Sequence, residues 1–209
     1  ALPACKALGP DDAPDCAAGA FHDYWLAIQG ADQAQYPGKP ESSPRRLCAV
    51  QPAWAVRGCW FRALLESPPR TIPAAARAVP GALCGGLAAL QRAGCVAGAM
   101  LVWGDDPYRV LAACGTLAAA ADQAACVRGV KGQLLAGKPQ ADLVRLVQGC
   151  GALAAGAPRD DCARWLGTEL QVVSDGAFAP AGCAAAGPAL AAACTAGAAA
   201  SSGALETFS

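Results

Sequence analysis

Twelve cysteines fall into six evenly built pairs, and this pattern constrains the fold more than any other feature of the 209-residue chain. The two members of a pair are always 11 or 12 positions apart, and the first members follow one another at steps of 43, 36, 30, 36 and 33 residues. A recurrence of this length indicates an internal repeat. The pairs are Cys5/Cys16, Cys48/Cys59, Cys84/Cys95, Cys114/Cys126, Cys150/Cys162 and Cys183/Cys194.

The cysteine pattern favours structural disulfides over metal or redox chemistry. The count is even, the spacing is regular, and the chain has one Met and one His. Zinc sites use closely spaced cysteine knuckles, and thiol oxidoreductases use a C-x-x-C motif; neither spacing occurs here. We therefore expect six disulfides, no metal and no cofactor, in a protein located outside a reducing cytosol.

Two disulfide topologies compete. In the first, each cysteine bonds its near neighbour across a turn. In the second, both cysteines of a pair lie on one helix and crosslink that helix to another. A continuous helix would separate residues eleven apart by about 16 Å, well beyond the roughly 4.4–6.8 Å between Cα atoms that a disulfide tolerates. Proline, which breaks or kinks a helix, favours local pairing. It lies within the spans Cys5–Cys16, Cys48–Cys59, Cys150–Cys162 and Cys183–Cys194.

The segments between the cysteine turns have apolar residues three or four positions apart, as in Leu143, Leu146 and Val147, and almost no strand signal. This predicts an all-α fold, an array of antiparallel helical hairpins in which the first cysteine ends one helix and the second lies in the first turns of the next. We expect one domain over residues 1–209, with an irregular insertion at 29–46. The predicted repeats are 1–43, 44–79, 80–109, 110–145, 146–178 and 179–209.

Charge and hydropathy exclude two classes of partner. Sixteen basic and sixteen acidic residues balance, and no basic stripe occurs, which argues against nucleic acid. Residues 176–205 are uncharged but contain Pro180, Pro188 and the sixth cysteine pair. We interpret this stretch as a weakly packed last repeat rather than a transmembrane helix.

The amino terminus has no basic and apolar leader and is expected to be a mature end left after signal-peptide removal, in a secreted or periplasmic protein.

Glycine recurs three residues after the second cysteine in four of the six repeats, as Gly19, Gly98, Gly129 and Gly197. Arg62 and Trp165 stand there in the other two. Glycine inside a helix costs up to about 1 kcal/mol relative to alanine, so its recurrence predicts a close approach of another backbone. Helix-on-helix packing is the favoured interpretation, and a ligand groove is the alternative.

Helical hairpins of about this length, each with a cysteine pair, resemble the tetratricopeptide-related, cysteine-rich secreted repeats called Sel-like. The resemblance covers most of residues 40–200 and rests on repeat length and paired cysteines, although the spacing within each pair is longer here. It implies a curved solenoid that binds proteins or peptides, with no catalytic residues to carry over.

Acidic doublets are expected to cap helices rather than to bind calcium. Asp106 precedes Pro107, which suits the first turn of a helix, and Asp160 and Asp161 precede Cys162, where a new helix is expected to begin.

Catalytic signatures are absent from the sequence: there is no G-x-S-x-G, H-E-x-x-H, P-loop or dinucleotide fingerprint. His22 is the only histidine. Asp23 is poorly placed to orient it, because neighbouring residues on a helix do not face one another. Catalysis by His22 would therefore require a distant carboxylate.

Aromatic residues are concentrated in the first third of the chain and form the candidate binding site. Trp and Tyr dominate interface hot spots, but the same residues also suit the core of an amino-terminal cap. The candidate binding residues are Phe21, His22, Tyr24, Trp25, Tyr36, Trp54 and Trp60, with the insertion Gln29–Arg46 beside them.

Three functional hypotheses follow. The leading one is a non-catalytic binding or accessory subunit of an extracytoplasmic protein complex, with another extracytoplasmic protein as partner. The second is a carrier of a small apolar ligand in an Ala-lined cavity between helices. The third is an enzyme that uses His22 with a distant carboxylate.

Overall fold

The fold is all-α, as predicted. A computed structural model describes residues 2–9, 13–29, 43–66, 83–99, 106–133, 140–174, 176–177 and 179–206. Within these ranges every regular element is helical. The elements are α1 (Leu2–Cys5), α2 (Ala13–Gln29), α3 (Pro44–Ala49), α4 (Ala53–Leu65), α5 (Ala89–Ala99), α6 (Pro107–Gly115), α7 (Ala120–Gln133), α8 (Gln140–Gly149), a 3-10 turn (Cys150–Ala152), α9 (Ala157–Val173), α10 (Ala179–Ala185) and α11 (Pro188–Glu206).

The chain divides into two compact units, Ala1–Trp103 and Gly104–Ser209. The first contains α1 to α5 and the second α6 to α11. One domain with six repeats, as expected from the sequence, stays a prediction.

All six disulfides join the near neighbours, which confirms the local topology. Their Cα–Cα distances are 5.4 to 5.8 Å, and all twelve cysteines are bonded. The first cysteines lie at or near helix ends, as Cys5 does in α1 and Cys114 in α6. The second cysteines lie in the following helices, here called the second-cysteine helices: α2, α4 and α5 in the first unit and α7, α9 and α11 in the second.

The two pairs with the longer step form the same kind of bridge as the other four. Cys114–Cys126 and Cys150–Cys162 are each separated by 12 positions, and their Cα–Cα distances are 5.6 and 5.8 Å. α7 begins at Ala120 and α9 at Ala157, so Cys126 and Cys162 both lie in the second helical turn rather than at the first residue of the helix. The connection between the two helices therefore accommodates the additional residue, and the predicted pairing of Cys126 is confirmed.

In the first unit the second-cysteine helices pack one on the next, and glycine makes that packing close. A Cβ atom at Gly94 would overlap the carbonyl oxygen of Arg57, and one at Gly98 would overlap that of Phe61. Gly94 and Gly98 lie one residue before and three residues after Cys95. The backbones of α4 and α5 therefore touch at two successive turns.

The same register recurs between other second-cysteine helices. Gly58, one residue before Cys59, meets the Pro14 carbonyl oxygen of α2, and Gly197, three residues after Cys194, meets the Arg164 carbonyl oxygen of α9. The positions before and after the second cysteine are thus the points at which these helices contact the one before. The prediction of a close backbone approach is confirmed at Gly98 and Gly197.

Gly19 does not follow this rule. A Cβ atom there would meet nothing within 4 Å, so the predicted close approach is wrong at this position. α2 is the first second-cysteine helix among the described residues, and none of these residues forms an earlier helix of that kind against Gly19. The prediction for Gly129 stays a prediction.

The second unit consists of two layers. α6, α8 and α10 follow one another in one layer, and α7, α9 and α11 in the other, with each hairpin joining the two. Leu143, Leu146 and Val147 of α8 are fully buried, which confirms the helical face expected from their spacing. Leu166 and Leu170 of α9 complete the same core.

Helix starts agree with the sequence at one acidic doublet and differ at the other. The Asp106 carboxylate accepts a hydrogen bond from the Tyr108 backbone N–H at 3.0 Å and caps α6 as expected. α9, however, begins at Ala157, after Gly156 with φ of 91°, so Asp160 and Asp161 lie inside the helix and the predicted start was wrong. Gly156, whose positive φ suits glycine, occupies the capping position in place of the doublet.

Within the described residues, no helix combines the length and the apolar character needed to cross a membrane.

A matched pair of glycine substitutions tests the backbone contacts. We expect Gly197→Ala to lower the free energy of unfolding by about 1–3 kcal/mol, because the added methyl group overlaps the Arg164 backbone. Gly19→Ala should be neutral or stabilise by up to about 1 kcal/mol, because its site is open and alanine favours a helix. Denaturant unfolding measures both; equal effects would contradict the contact.

The Tyr108 phenol tests the packing of α6 on α8. Its hydroxyl donates a hydrogen bond to the Asp142 carbonyl oxygen at 3.1 Å, and the Arg145 guanidinium lies 4.2 Å from its ring centroid. Burial raises the pKa of Tyr108 to about 12, and the interaction with Asp142 acts in the same direction. A raised pKa means that the fold favours the neutral phenol, so this contribution to stability is lost as pH rises from 10 to about 12. The difference between ultraviolet titrations of the wild type and Tyr108→Phe should show one phenol with a midpoint near 12; a midpoint near 10 would contradict the burial.

Candidate functional site

Three of the five described aromatic residues of the candidate binding site lie in the core of the first unit. Their burial suits the core of an amino-terminal cap and leaves His22, Tyr24 and Trp54 as the accessible members. Phe21, Trp25 and Trp60 are buried, Tyr24 and Trp54 are half-buried, and Tyr36 lies outside the described residues together with most of the insertion Gln29–Arg46.

Glycine one residue before and three residues after the second cysteine, as in Gly94 and Gly98, is here called the glycine register. The interface of α2 and α4 departs from this register at one position. The two backbones touch at Gly58, as elsewhere. Three residues after Cys59, however, α4 carries Arg62 where α5 and α11 carry glycine. A long cationic side chain thus replaces a backbone contact at this turn, and the polar cluster of the unit forms beside it.

Three side chains make up this His22 cluster: His22 from α2, and Arg62 and Glu66 from α4 and its carboxyl end. The His22 Nδ1 atom lies 2.9 Å from Glu66 Oε1, although the two residues are 44 positions apart. Arg62 Nη1 lies 3.5 Å from the same carboxylate oxygen. The Glu66 backbone N–H also donates a hydrogen bond to the Arg62 carbonyl oxygen, which holds the Glu66 backbone at the end of α4.

Partial burial strengthens these contacts. The Glu66 and Arg62 side chains are 18% and 20% exposed, and His22 is 38% exposed. Charges that are only partly solvated attract each other more strongly than fully exposed ones, because the effective dielectric constant is lower. The cluster therefore holds its geometry at the surface while keeping the imidazole accessible.

The arrangement determines which nitrogen of His22 carries its proton when the ring is neutral. An ionised carboxylate only accepts hydrogen bonds, so Nδ1 must donate to Glu66. Nε2 then presents a lone pair, able to accept a hydrogen bond or a proton. A His–carboxylate pair of this kind provides the orienting carboxylate that the enzyme hypothesis requires.

Arg62 also has a donor without a partner. Among the described residues, its Nε atom is buried and has no hydrogen-bond acceptor. The indole nitrogens of Trp25 and Trp60 are buried and unpartnered in the same way. An unsatisfied buried donor costs about 1–3 kcal/mol. Its guanidinium lies 5.3 Å from the Phe61 ring centroid, so the group rests on apolar surface. The buried Nε of Arg62 is therefore a local cost to stability, and the exposed part of the guanidinium is what a binding partner can reach.

Glu66 and Arg62 were not identified from the sequence as site residues. No local pattern connects either residue to His22, because the contact spans two disulfide-closed hairpins. One signal was available for Arg62, which interrupts the glycine recurrence three residues after the second cysteine. An interruption in a repeat is where a special contact is expected, and here it marks the cluster.

In the parts of the chain that the structure describes, no group of three or more His, Cys, Asp or Glu side chains is placed to hold a metal ion.

No protein-family model matches the chain, and comparisons with curated proteins and with solved structures give no match.

The single histidine makes the cluster directly testable by NMR, since its imidazole gives the only histidine ring signals. At a pH where the ring is neutral, we expect ¹⁵N shifts of the Nδ1–H tautomer, because Glu66 accepts from Nδ1. Glu66→Gln should reduce this preference, whereas Asp23→Asn, beside His22 on the same helix, should not. A dominant Nε2–H tautomer in the wild type would contradict the predicted geometry.

Proposed function

We propose that this chain is a non-catalytic binding protein or accessory subunit of an extracytoplasmic complex. The His22 cluster and the half-buried Tyr24 form its contact surface. The observation that carries the proposal is the cluster itself, in which α2 and α4 hold three polar side chains in fixed positions at an accessible surface.

The composition of this surface suits protein recognition. Arg, Tyr and Trp dominate interface hot spots, and a partly desolvated arginine over an aromatic ring is a common form of hot spot. Nε2 of His22 provides an acceptor for a partner's backbone or side chains, and the partly exposed Arg62 guanidinium adds a positive charge beside it. Leu26 of α2, 47% exposed, adds apolar area on the same helix.

The disulfides of the first unit also support a binding function. Three local disulfides hold the helices of the first unit, so the contact surface is organised before binding and little conformational entropy is lost on association. Six disulfides also support folding in an oxidising compartment, from which we infer a secreted or periplasmic location.

An enzyme is the second candidate, favoured by one observation: the His22–Glu66 pair is the orienting half of a general base. All twelve cysteines are in disulfides, which removes a thiol nucleophile. The binding proposal needs no further catalytic group and is preferred for that reason.

The proposal is tested by association in the native extracytoplasmic fraction, measured by crosslinking and quantitative mass spectrometry. We expect His22→Gln with Arg62→Gln to lower recovery of the partner by about tenfold or more, as loss of a hot spot does. The control is Asp15→Asn with Arg57→Gln, a weaker ion pair of 3.9 Å between the same two helices. A partner lost equally from both variants, or from neither, would contradict the assignment of the surface.

A further inference from the structure

A small open pocket of about 200 Å³ lies between α7 and α9 of the second unit, and its position follows from the repeat. It is lined by Ala124, Val127, Arg128, Pro158, Asp161 and Trp165. The first three belong to α7 and the last three to α9.

The pocket occupies the place where other second-cysteine helices touch. In the register of Gly94 and Gly98, the corresponding residues of α9 are Asp161, one before Cys162, and Trp165, three after it. α9 therefore carries a carboxylate and an indole at the two positions that are glycine in α5. Side chains of this size prevent the backbone contact with α7, and the space beside them remains open as the pocket.

The lining has an apolar floor and two opposite charges at its mouth. Val127, Pro158 and Trp165 are buried and form the floor. The Trp165 indole N–H already donates a hydrogen bond to Glu169 of the same helix at 3.2 Å, so the ring offers the pocket its apolar surface. Arg128 and Asp161 are exposed and come from opposite helices.

The two charges are available to a ligand. Among the described residues, Arg128 and Asp161 form no ion pair with each other, although both line the pocket. Asp161 pairs with Arg164 at 2.8 Å, but both side chains are more than half exposed, and exposed pairs of this kind contribute little to stability. A ligand ammonium group can therefore interact with Asp161 without disrupting the fold.

We propose that this pocket binds a small zwitterion with an apolar side chain, as in a free α-amino acid. The ligand carboxylate faces Arg128, the ammonium group faces Asp161, and the side chain lies against Trp165 and Val127. An apolar cavity of about 150 Å³ accepts benzene, so 200 Å³ accommodates one ring while the charged end stays at the mouth. The site is independent of the His22 cluster and differs from a carrier of a purely apolar molecule.

The pocket is smaller than the roughly 300–1,000 Å³ usual for ligand sites, so we expect weak binding, with Kd about a millimolar. The probe is L-phenylalanine, followed through the Trp165 indole ¹⁵N–¹H signal, which is assigned by its loss in Trp165→Phe. A saturable shift is expected. 3-Phenylpropanoate, which lacks the ammonium group, and 2-phenylethylamine, which lacks the carboxylate, should each bind about tenfold more weakly. Equal binding of either analogue, or no saturable shift with L-phenylalanine, would overturn the proposal.

Variants separate the pocket from the surrounding surface. Arg128→Gln and Asp161→Asn should each weaken L-phenylalanine binding about tenfold. Arg164→Gln is the matched control, because it removes the competing partner of Asp161 without lining the pocket, and it should leave binding unchanged or tighter. The double variant Asp161→Gly with Trp165→Gly restores the glycine register and should abolish binding. Because it lacks the Trp165 indole, its binding is measured by saturation transfer to the signals of L-phenylalanine. If Arg164→Gln weakens binding as much as Arg128→Gln does, the assignment of the two charges is wrong.

Discussion

The local disulfide is the constraint on which the rest of this structure depends. Each bridge joins the end of one helix to an early turn of the next and closes a loop of 11 or 12 positions. In a chain whose apolar residues are largely alanine, helix packing alone buries little area, and closing such a loop stabilises by roughly 3 kcal/mol. Each bridge also fixes the same point of every second-cysteine helix. The residues just before and just after that point therefore meet the preceding helix at equivalent turns, which is why glycine recurs there.

The sequence was sufficient for the pairing of the cysteines and for the helical class, because both depend on local rules. Proline within a cysteine span disfavours a continuous helix, and without that helix the neighbouring sulfurs can meet. Cys114 and Cys126 have no proline between them, and there the regular recurrence of the pairs carried the prediction. The close approach at Gly98 and Gly197 was predictable because glycine disfavours a helix unless something requires it.

The predictions that were wrong or incomplete concern residues whose structure depends on tertiary contacts rather than on local sequence. Gly19 has no earlier second-cysteine helix among the described residues, and Gly156, with its positive φ, starts α9 ahead of the acidic doublet. His22 was visible as the single histidine, but Glu66 reaches it only because α2 and α4 are aligned by Gly58 and by two separate disulfides, a tertiary relation that no spacing encodes. Tryptophan is a residue type that is common at interfaces, but Trp25 is buried and belongs to the core. Composition identifies candidate residues, and only the packing shows which of them face outward.

Exceptions to the glycine register mark both the polar cluster of the first unit and the pocket of the second. α5 carries glycine at both contact positions and touches α4 along its backbone; α4 keeps one glycine and carries Arg62 at the other position; α9 carries neither and leaves a pocket beside α7. Replacing a glycine forfeits close backbone contacts, each contributing about 0.5–1 kcal/mol, but recovers up to about 1 kcal/mol of helix propensity. At these positions of α4 and α9 the local disulfide continues to hold the hairpin. The fold therefore tolerates exceptions to the glycine register, and the His22 cluster and the pocket both lie at such exceptions.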